Sequence, residues 1–179
     1  MLRRYRQAFG DHLGGFLAFD QALIIFGWSS EYNPALDVQW HNLFSPFKDA
    51  YRLSFDEHLI VGCDVLGDLL ILRDSEVCRM DGETGTLELL AASTDDLFCR
   101  PVSELAEMFG LSLAKRVLPS WDVGSVFRAL PTRPYLIAGK PPTSFFKSPL
   151  LRAMGLKLRL FQTTAGAPDG TVIGLDFWN

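Results

Sequence analysis

Short apolar runs separated by glycine and aspartate are the most regular pattern in the chain, between residues 58 and 91. The runs "HLIVG", "DLLILR", "SEVCRM" and "TLELLA" alternate with "CDVLG", "RDS" and "DGETG". Runs of this length with Gly/Asp connections are typical of β-strands joined by tight hairpin turns. The pattern therefore predicts an antiparallel meander in the middle of the chain.

The residues before the meander predict a first helix, two further strands and a second short helix that begins after Asn33 with Pro34 at its first position. Leu2 to Phe9 can form a short helix that ends at Gly10, because glycine is preferred just after a helix C-terminus. The segment "FLAFDQALIIFG" has aromatic and branched residues at the density of strands, with Asp20 and Gln21 as a turn. The full pattern thus predicts a sheet of about six strands.

Further elements are predicted after the meander. Ser93 precedes acidic residues as a helix N-cap does, and Pro101 divides the following segment into two helices, the second ending at Gly110. The segments "LLRAMGLKLRLFQTT", "AGAPDG" and "TVIGLDFWN" follow one another from residue 150 to residue 179, and they predict a closing hairpin over 150–178 with a Pro-Asp-Gly turn. No linker or repeat divides the chain. Residues 1–179 are therefore interpreted as a single α+β domain, a largely antiparallel sheet flanked by helices with the hairpin 150–178 as its extension.

Composition narrows the class of protein. A chain of 179 residues with 48% hydrophobic side chains can bury one sizeable core. The net charge of -4 argues against a broad nucleic-acid-binding surface, which requires clustered Lys and Arg. Three cysteines, an odd number, fit a reducing compartment better than a disulfide scaffold. No apolar stretch has the length of a membrane span, so the sequence predicts a soluble, cytoplasmic protein.

Three kinds of ligand site can be considered in the meander. Cys63, Cys78 and Cys99 lack the C-x-x-C spacing of a zinc site, and buried free thiols are the simpler interpretation. The "DGETG" segment lacks the spaced ligands of a calcium loop and fits a hairpin turn. A phosphate-binding loop starting at Gly62 would need a lysine where Asp68 stands. No metal or cofactor is therefore predicted.

A catalytic set is not predicted either. The three histidines all lie in the first third of the chain, and no G-x-S-x-G motif accompanies them. Carboxylate pairs such as Asp56-Glu57 and Asp95-Asp96 are more typical of a solvated face or a helix N-terminus than of acid/base catalysis. A hydrolase whose catalytic residues come together only on folding stays open as an alternative.

The acidic residues of the predicted hairpin connections could form one acidic rim on a rigid sheet. Such loops suit recognition of a basic protein, because complementary charge speeds association. Trp side chains are over-represented at interface hot spots, although core packing is their commoner role. The candidate partner-binding residues are Asp64, Asp68, Asp74, Glu76, Asp81, Glu83, Trp28 and Trp40.

Residues 62–98 resemble the central region of the SMI1/KNR4, or SUKH, superfamily and of the related DUF1851-type immunity domains. The similarity consists of an acidic lead-in to Gly67-Asp68, a strand, a hairpin with an Asp-x-x-Thr-Gly turn that starts at Asp81, and Ser93 before a helix. The residues from 134 onward are similar to a C-terminal extension of some bacterial members. The N-terminal helical lead is shorter than is usual in the family.

This resemblance implies a binding protein without enzymatic activity. Bacterial members of the superfamily commonly serve as immunity proteins, which block a cognate toxin delivered by contact-dependent or type VI secretion. The implied partner is a basic nuclease- or deaminase-type toxin, bound stoichiometrically, with no direct contact to nucleic acid or membrane. A general protein-interaction or regulatory module on the same fold is the alternative.

Overall fold

The structure is a computed structural model, which describes residues 1–19, 21–28, 34–109, 111, 125–130 and 144–168. These residues form an α+β fold with a six-stranded antiparallel meander sheet and several helices, which confirms the predicted fold class. The strands of the sheet lie in chain order and are β1 (Phe16–Ala18), β2 (Leu23–Ile25), β3 (His58–Asp64), β4 (Leu69–Arg73), β5 (Glu76–Met80) and β6 (Leu87–Ala91). A separate antiparallel pair consists of β7 (Ser125–Leu130) and β8 (Ser144–Pro149).

Helices come before, between and after these strands. They are α1 (Leu2–Phe9), a 3-10 helix (Pro34–Leu36), α2 (Val38–Leu43), α3 (Phe47–Ala50), α4 (Thr94–Phe98), α5 (Val102–Met108) and α6 (Leu150–Thr164). None of these described helices has both the length and the apolar character needed to cross a membrane.

Helices cover both faces of the sheet. Successive side chains of a strand point to opposite faces, and every position of β4 except the last is buried. Residues directly opposite each other on neighbouring strands lie on the same face of the sheet. One such row consists of Phe16, Ile25, Gly62, Leu70 and Arg79. On this face the Phe16 ring lies 6.0 Å from the rings of Phe9 in α1 and Phe98 in α4. The second group of helices, in which α2 contacts α3 and α3 contacts α6, covers the opposite face.

Most predicted turn and cap residues have the expected geometry. Gly10 follows α1 with a φ of 61°, and the Ser93 hydroxyl accepts a hydrogen bond from the third amide of α4. Pro101 separates α4 from α5, as predicted. The predicted turn residue Asp20 and the predicted helix end Gly110 lie outside the described residues.

The predicted C-terminal hairpin is wrong over its first half, because residues 150–164 form α6. This segment contains mainly Leu, Met, Ala, Lys and Arg, which favour helix, and its β-branched residues occupy only the last two positions. Buried Leu150, Ala153, Met154 and Leu158 have the spacing of one helical face. The second half of the predicted hairpin, from residue 169 onward, lies outside the described residues.

Helix α6 packs closely on the connection between β5 and β6. Gly85 lies in this connection with a φ of +70°, and a Cβ atom there would come within 2.6 Å of the Phe161 ring. The centroid of the Phe161 ring lies 4.8 Å from that of Tyr51, whose hydroxyl donates to the Gly82 carbonyl at 2.6 Å. Both the backbone conformation and the available space therefore require glycine at position 85.

Replacing Gly85 with alanine should lower the free energy of unfolding by about 2 to 4 kcal/mol, because backbone strain and a clash with Phe161 add together. Gly166→Ala is a matched control, since Gly166 has a φ of +82° but no atom within 4 Å of its Cβ position. Gly166→Ala should lower the free energy of unfolding by only about 1 kcal/mol. Urea denaturation measures both losses, and equal losses would contradict the close packing of α6 on this turn.

Candidate functional site

Buried charged side chains lie at the end of the sheet where β3 turns into β4 and β5 turns into β6. We define the ion-pair cluster as Asp64, Asp68, Arg79 and Lys157. The Arg79 Nη2 atom lies 2.7 Å from Asp64 Oδ2 and 2.8 Å from Asp68 Oδ2. Lys157 of α6 donates to Asp68 Oδ1, which also accepts from the Gly82 amide at 3.1 Å. The cluster therefore joins both turns to α6 inside the protein.

The two carboxylates of the cluster have opposite pKa shifts. Burial raises the pKa of Asp64 to about 6, and repulsion from Asp68 is the second cause. Burial also acts to raise the pKa of Asp68, but Lys157 and Arg79 outweigh it and hold that pKa below its ordinary value. Asp68 therefore stays ionised in neutral and mildly acidic solution, whereas Asp64 takes up a proton near pH 6.

Three of the predicted partner-binding residues are buried, which makes the prediction of one exposed acidic rim wrong for them. Asp64 and Asp68 are each 2% exposed and Glu83 is 6% exposed. Both aspartates pair with the half-buried Arg79, and Asp68 also pairs with the buried Lys157. Asp64 accepts hydrogen bonds from the Leu66 and Asp68 amides within its own turn as well. Glu83 is close enough to Lys157 to help raise the pKa of that lysine against the opposing effect of burial. These three carboxylates therefore lie inside the protein and are not presented to a partner.

Asp81 is a half-buried residue of the β5–β6 turn. Its Oδ1 atom accepts hydrogen bonds from the Glu83 and Thr84 amides, and its own amide donates to the Thr86 carbonyl at 3.0 Å. The segment "DGETG" is therefore a hairpin turn, as predicted.

Trp28 and Trp40 are partly buried and pack against the hydrophobic core. The Trp28 ring centroid lies 5.8 Å from that of Tyr5, and the Trp40 centroid lies 5.0 Å from that of His41. Their role as interface anchors stays a prediction.

The cysteines follow the predicted pattern in part. Cys63 and Cys78 are buried free thiols, and burial raises the pKa of both. Cys99 is also free but exposed. Within the described ranges, no three His, Cys, Asp or Glu side chains are arranged so that they could hold a metal ion.

His41 is a residue of the core. Its ring stacks with those of Phe26 and Phe47 at centroid distances of 4.5 and 5.8 Å, and its Nε2 atom lies 2.9 Å from the Ala35 carbonyl oxygen. Burial lowers the pKa of His41 to about 4, so the ring is neutral at physiological pH.

The end of the sheet opposite the ion-pair cluster carries exposed carboxylates from three connections. His58 pairs with Arg73, and Val77 pairs with Ala91, so the segments before β3, between β4 and β5, and after β6 meet at this end. We define the acidic end by five exposed or half-exposed carboxylates of these segments, which are Asp56, Glu57, Asp74, Glu76 and Asp95. Asp96 is also exposed, but its Oδ2 atom accepts a hydrogen bond from the Ala92 amide at 3.2 Å and lies 4.0 Å from Arg100 Nη2. Of these five residues, the sequence predicts a binding role only for Asp74 and Glu76. The other members were missed because only the folded sheet brings these separate segments together.

Two cations hold the backbone of the segment that leads into β3 and includes its first residue, His58, which we call the 54–58 loop. Arg4 of α1 donates to the carbonyls of residues 56 and 57, and Lys48 of α3 donates to the carbonyls of residues 55 and 58. Arg4 also donates to the Leu72 carbonyl of β4 at 3.1 Å. Four consecutive carbonyls thus accept hydrogen bonds from charged donors, which are stronger than bonds from neutral donors. The conformation of the loop is therefore fixed against the sheet.

A cleft of about 470 Å³ lies beside the 54–58 loop. Arg4 and Leu72 line it, together with Asp74 and Asp95 of the acidic end. The other residues in its lining are Gln7, Ala8, Ser75, Ser93 and Thr94. Arg4 therefore links the 54–58 loop, whose carbonyls it binds, to the cleft that it lines, and carboxylates lie on both.

No protein-family model, curated protein or solved structure matches this chain. The similarity of residues 62–98 to the SMI1/KNR4 superfamily therefore stays a prediction.

Replacing Asp68 with asparagine should lower the free energy of unfolding by about 3 to 5 kcal/mol, because Lys157 would stay buried without its counter-charge. Asp74→Asn is the control at an exposed position, and it should change the stability by less than about 0.5 kcal/mol. Chemical denaturation at pH 7 measures both changes. A loss in Asp68→Asn as small as that of the control would show that the buried pair does not hold α6 on the sheet.

His41 should make the protein less stable as the pH falls from 6.5 to about 4. The unfolded chain takes up a proton near pH 6.5, whereas the folded ring does so only near pH 4, so the unfolded state binds more protons in between. Asp64 acts in the opposite direction, since its pKa is raised on folding. The stability of His41→Phe relative to the wild type should therefore rise by about 3 kcal/mol between pH 7 and pH 4. Denaturation curves at several pH values test this, and parallel pH profiles would contradict it.

Proposed function

We propose that this chain is an immunity-type protein that neutralises a cognate basic toxin by stoichiometric binding through the acidic end of the sheet. One observation carries the proposal: exposed carboxylates from three chain segments lie around a loop whose backbone is held by Arg4 and Lys48. A preformed surface of this kind suits protein recognition, because little conformational entropy is lost when it binds.

The charge of the acidic end supports a basic partner. Arg73 pairs with Glu76 at 2.7 Å, but no ion pair among the described residues involves the other four carboxylates, which are Asp56, Glu57, Asp74 and Asp95. Their charge is available to a partner. Enzymes that act on nucleic acid attract phosphate with Lys and Arg, so an acidic protein can occupy that surface and exclude the substrate.

The resemblance to the SMI1/KNR4 superfamily supplies the biological setting of the proposal. In this setting the chain acts in the cytoplasm of a bacterium against a nuclease- or deaminase-type toxin delivered by contact-dependent or type VI secretion. Binding is the whole mechanism, so the chain contacts neither nucleic acid nor membrane and uses no cofactor.

Co-expression with a toxin encoded next to the gene for this chain tests the proposal. The wild-type chain should restore growth and form a one-to-one complex with the toxin. The double variant Glu57→Gln/Asp74→Asn should bind at least about tenfold more weakly, because two charges that face the basic partner are lost. Growth assays and isothermal titration calorimetry measure these effects.

A matched control removes the same charge elsewhere. Glu88 on β6 and Glu107 on α5 are exposed, and Glu88→Gln/Glu107→Gln should bind and protect like the wild type. Equal effects of the two double variants would show that the acidic end is not the interface. A wild-type chain that neither protects cells nor binds the toxin would overturn the immunity function, and binding of non-toxin proteins instead would favour a general interaction module.

A further inference from the structure

The 54–58 loop presents an aromatic side chain on a backbone that is already ordered. Phe55 is 52% exposed, and the Nζ atom of Lys48 lies 4.8 Å from the centroid of its ring. Lys48 itself is 1% exposed, so the loop rests on a buried cation. Within the loop, the His58 amide donates to the Ser54 carbonyl at 3.0 Å. Partner binding would therefore not have to order this segment.

We propose that the 54–58 loop is a preformed insertion loop, in which Phe55 enters an apolar pocket of a basic protein and Asp56 and Glu57 pair with Lys or Arg side chains around that pocket. The inference rests on the proposed function for the identity of the partner, and it adds the contact chemistry. Phe55 is the anchor, and the two carboxylates that follow it select for positive charge.

The surroundings of Phe55 distinguish it from other exposed apolar side chains. Leu89 on β6 has the same exposed fraction, 52%, but leucine is under-represented at binding hot spots, whereas phenylalanine is among the aromatic residues enriched in protein interfaces. Phe44 is more exposed, at 74%, but it follows α2 and is flanked by Leu43 and Ser45. Phe55 alone of these three is followed by two exposed carboxylates. Charge complementarity therefore favours a basic protein as the occupant.

An NMR titration of the free protein with a synthetic amphipathic Lys/Leu peptide tests the loop without the toxin. The largest chemical-shift changes should lie in residues 54–58 and at Asp74, and a Glu/Leu peptide of equal length should cause none there. Phe55→Ala should weaken Lys/Leu peptide binding at least about tenfold, and the equally exposed control Leu89→Ala by less than about twofold. Shifts confined to other surfaces, or equal effects of the two variants, would overturn the proposal.

The role of the ordered backbone is tested with Arg4→Lys, which keeps the charge but cannot donate to two carbonyls in the same fork geometry. Exchange of the His58 amide with solvent should become about tenfold faster in this variant, and Lys/Leu peptide affinity should fall with it. Unchanged exchange together with unchanged affinity would show that the loop does not depend on the Arg4 contacts, which overturns its preformed character.

Kinetics with the toxin separate this inference from the proposed function. Phe55→Ala should mainly raise the dissociation rate, and Asp56→Asn/Glu57→Gln should mainly lower the association rate and its dependence on salt.

A toxin bound equally well by the wild type and by Phe55→Ala would overturn the insertion loop and leave the proposed function standing. Peptide binding at the loop without toxin binding would overturn the proposed function and leave the insertion loop standing. Self-association that Phe55→Ala abolishes would identify a second copy of the chain as the occupant and overturn the basic partner.

Discussion

The pairing of buried Asp68 with Arg79 and Lys157 is the interaction on which the rest of the structure depends. Lys157 and Asp68 are 89 positions apart in the chain, and their contact joins α6 to the sheet. Burying each ion costs several kcal/mol, and the cost is offset only if all partners are in place together. Asp68 meets this condition because it also accepts a hydrogen bond from the Gly82 amide. Both turns at this end of the sheet and α6 must therefore assemble as one unit.

This constraint gives the two ends of the sheet different properties. At the cluster end, carboxylates are neutralised internally and covered by α6. At the acidic end, the cations Arg4 and Lys48 donate hydrogen bonds to backbone carbonyls. Burial, with repulsion from Arg4 as a second cause, lowers the pKa of Lys48 to about 8. Apart from Glu76, which pairs with Arg73, the carboxylates of the acidic end take part in no ion pair among the described residues, and the backbone of the 54–58 loop is held in place. This combination is the physical basis of the proposed binding function.

The two errors of sequence interpretation at the cluster end have one cause. The segment 150–164 was predicted as strand, and without a helix carrying Lys157 nothing buries Asp68. A carboxylate in a Gly/Asp-rich turn is then expected at the surface, as it was for Asp64, Asp68 and Glu83. The absence of β-branched residues before position 163 was the signal for the helix. The burial of individual aspartates had no comparable local signal, because it depends on a partner far along the chain.

The sequence by itself determined the elements whose causes are local. Alternating apolar runs and Gly/Asp turns specify the meander, and Ser93 and Pro101 specify where helices begin and separate, because these effects act within a few residues. Only the tertiary structure decided which carboxylates are paired inside and which face solvent. That choice depends on contacts such as Lys157 with Asp68 and Arg4 with the 54–58 loop, which join segments from 52 to 89 residues apart. Local sequence patterns determine the conformation of each segment. Which surface is available for function depends on the distant segments that pack against each turn.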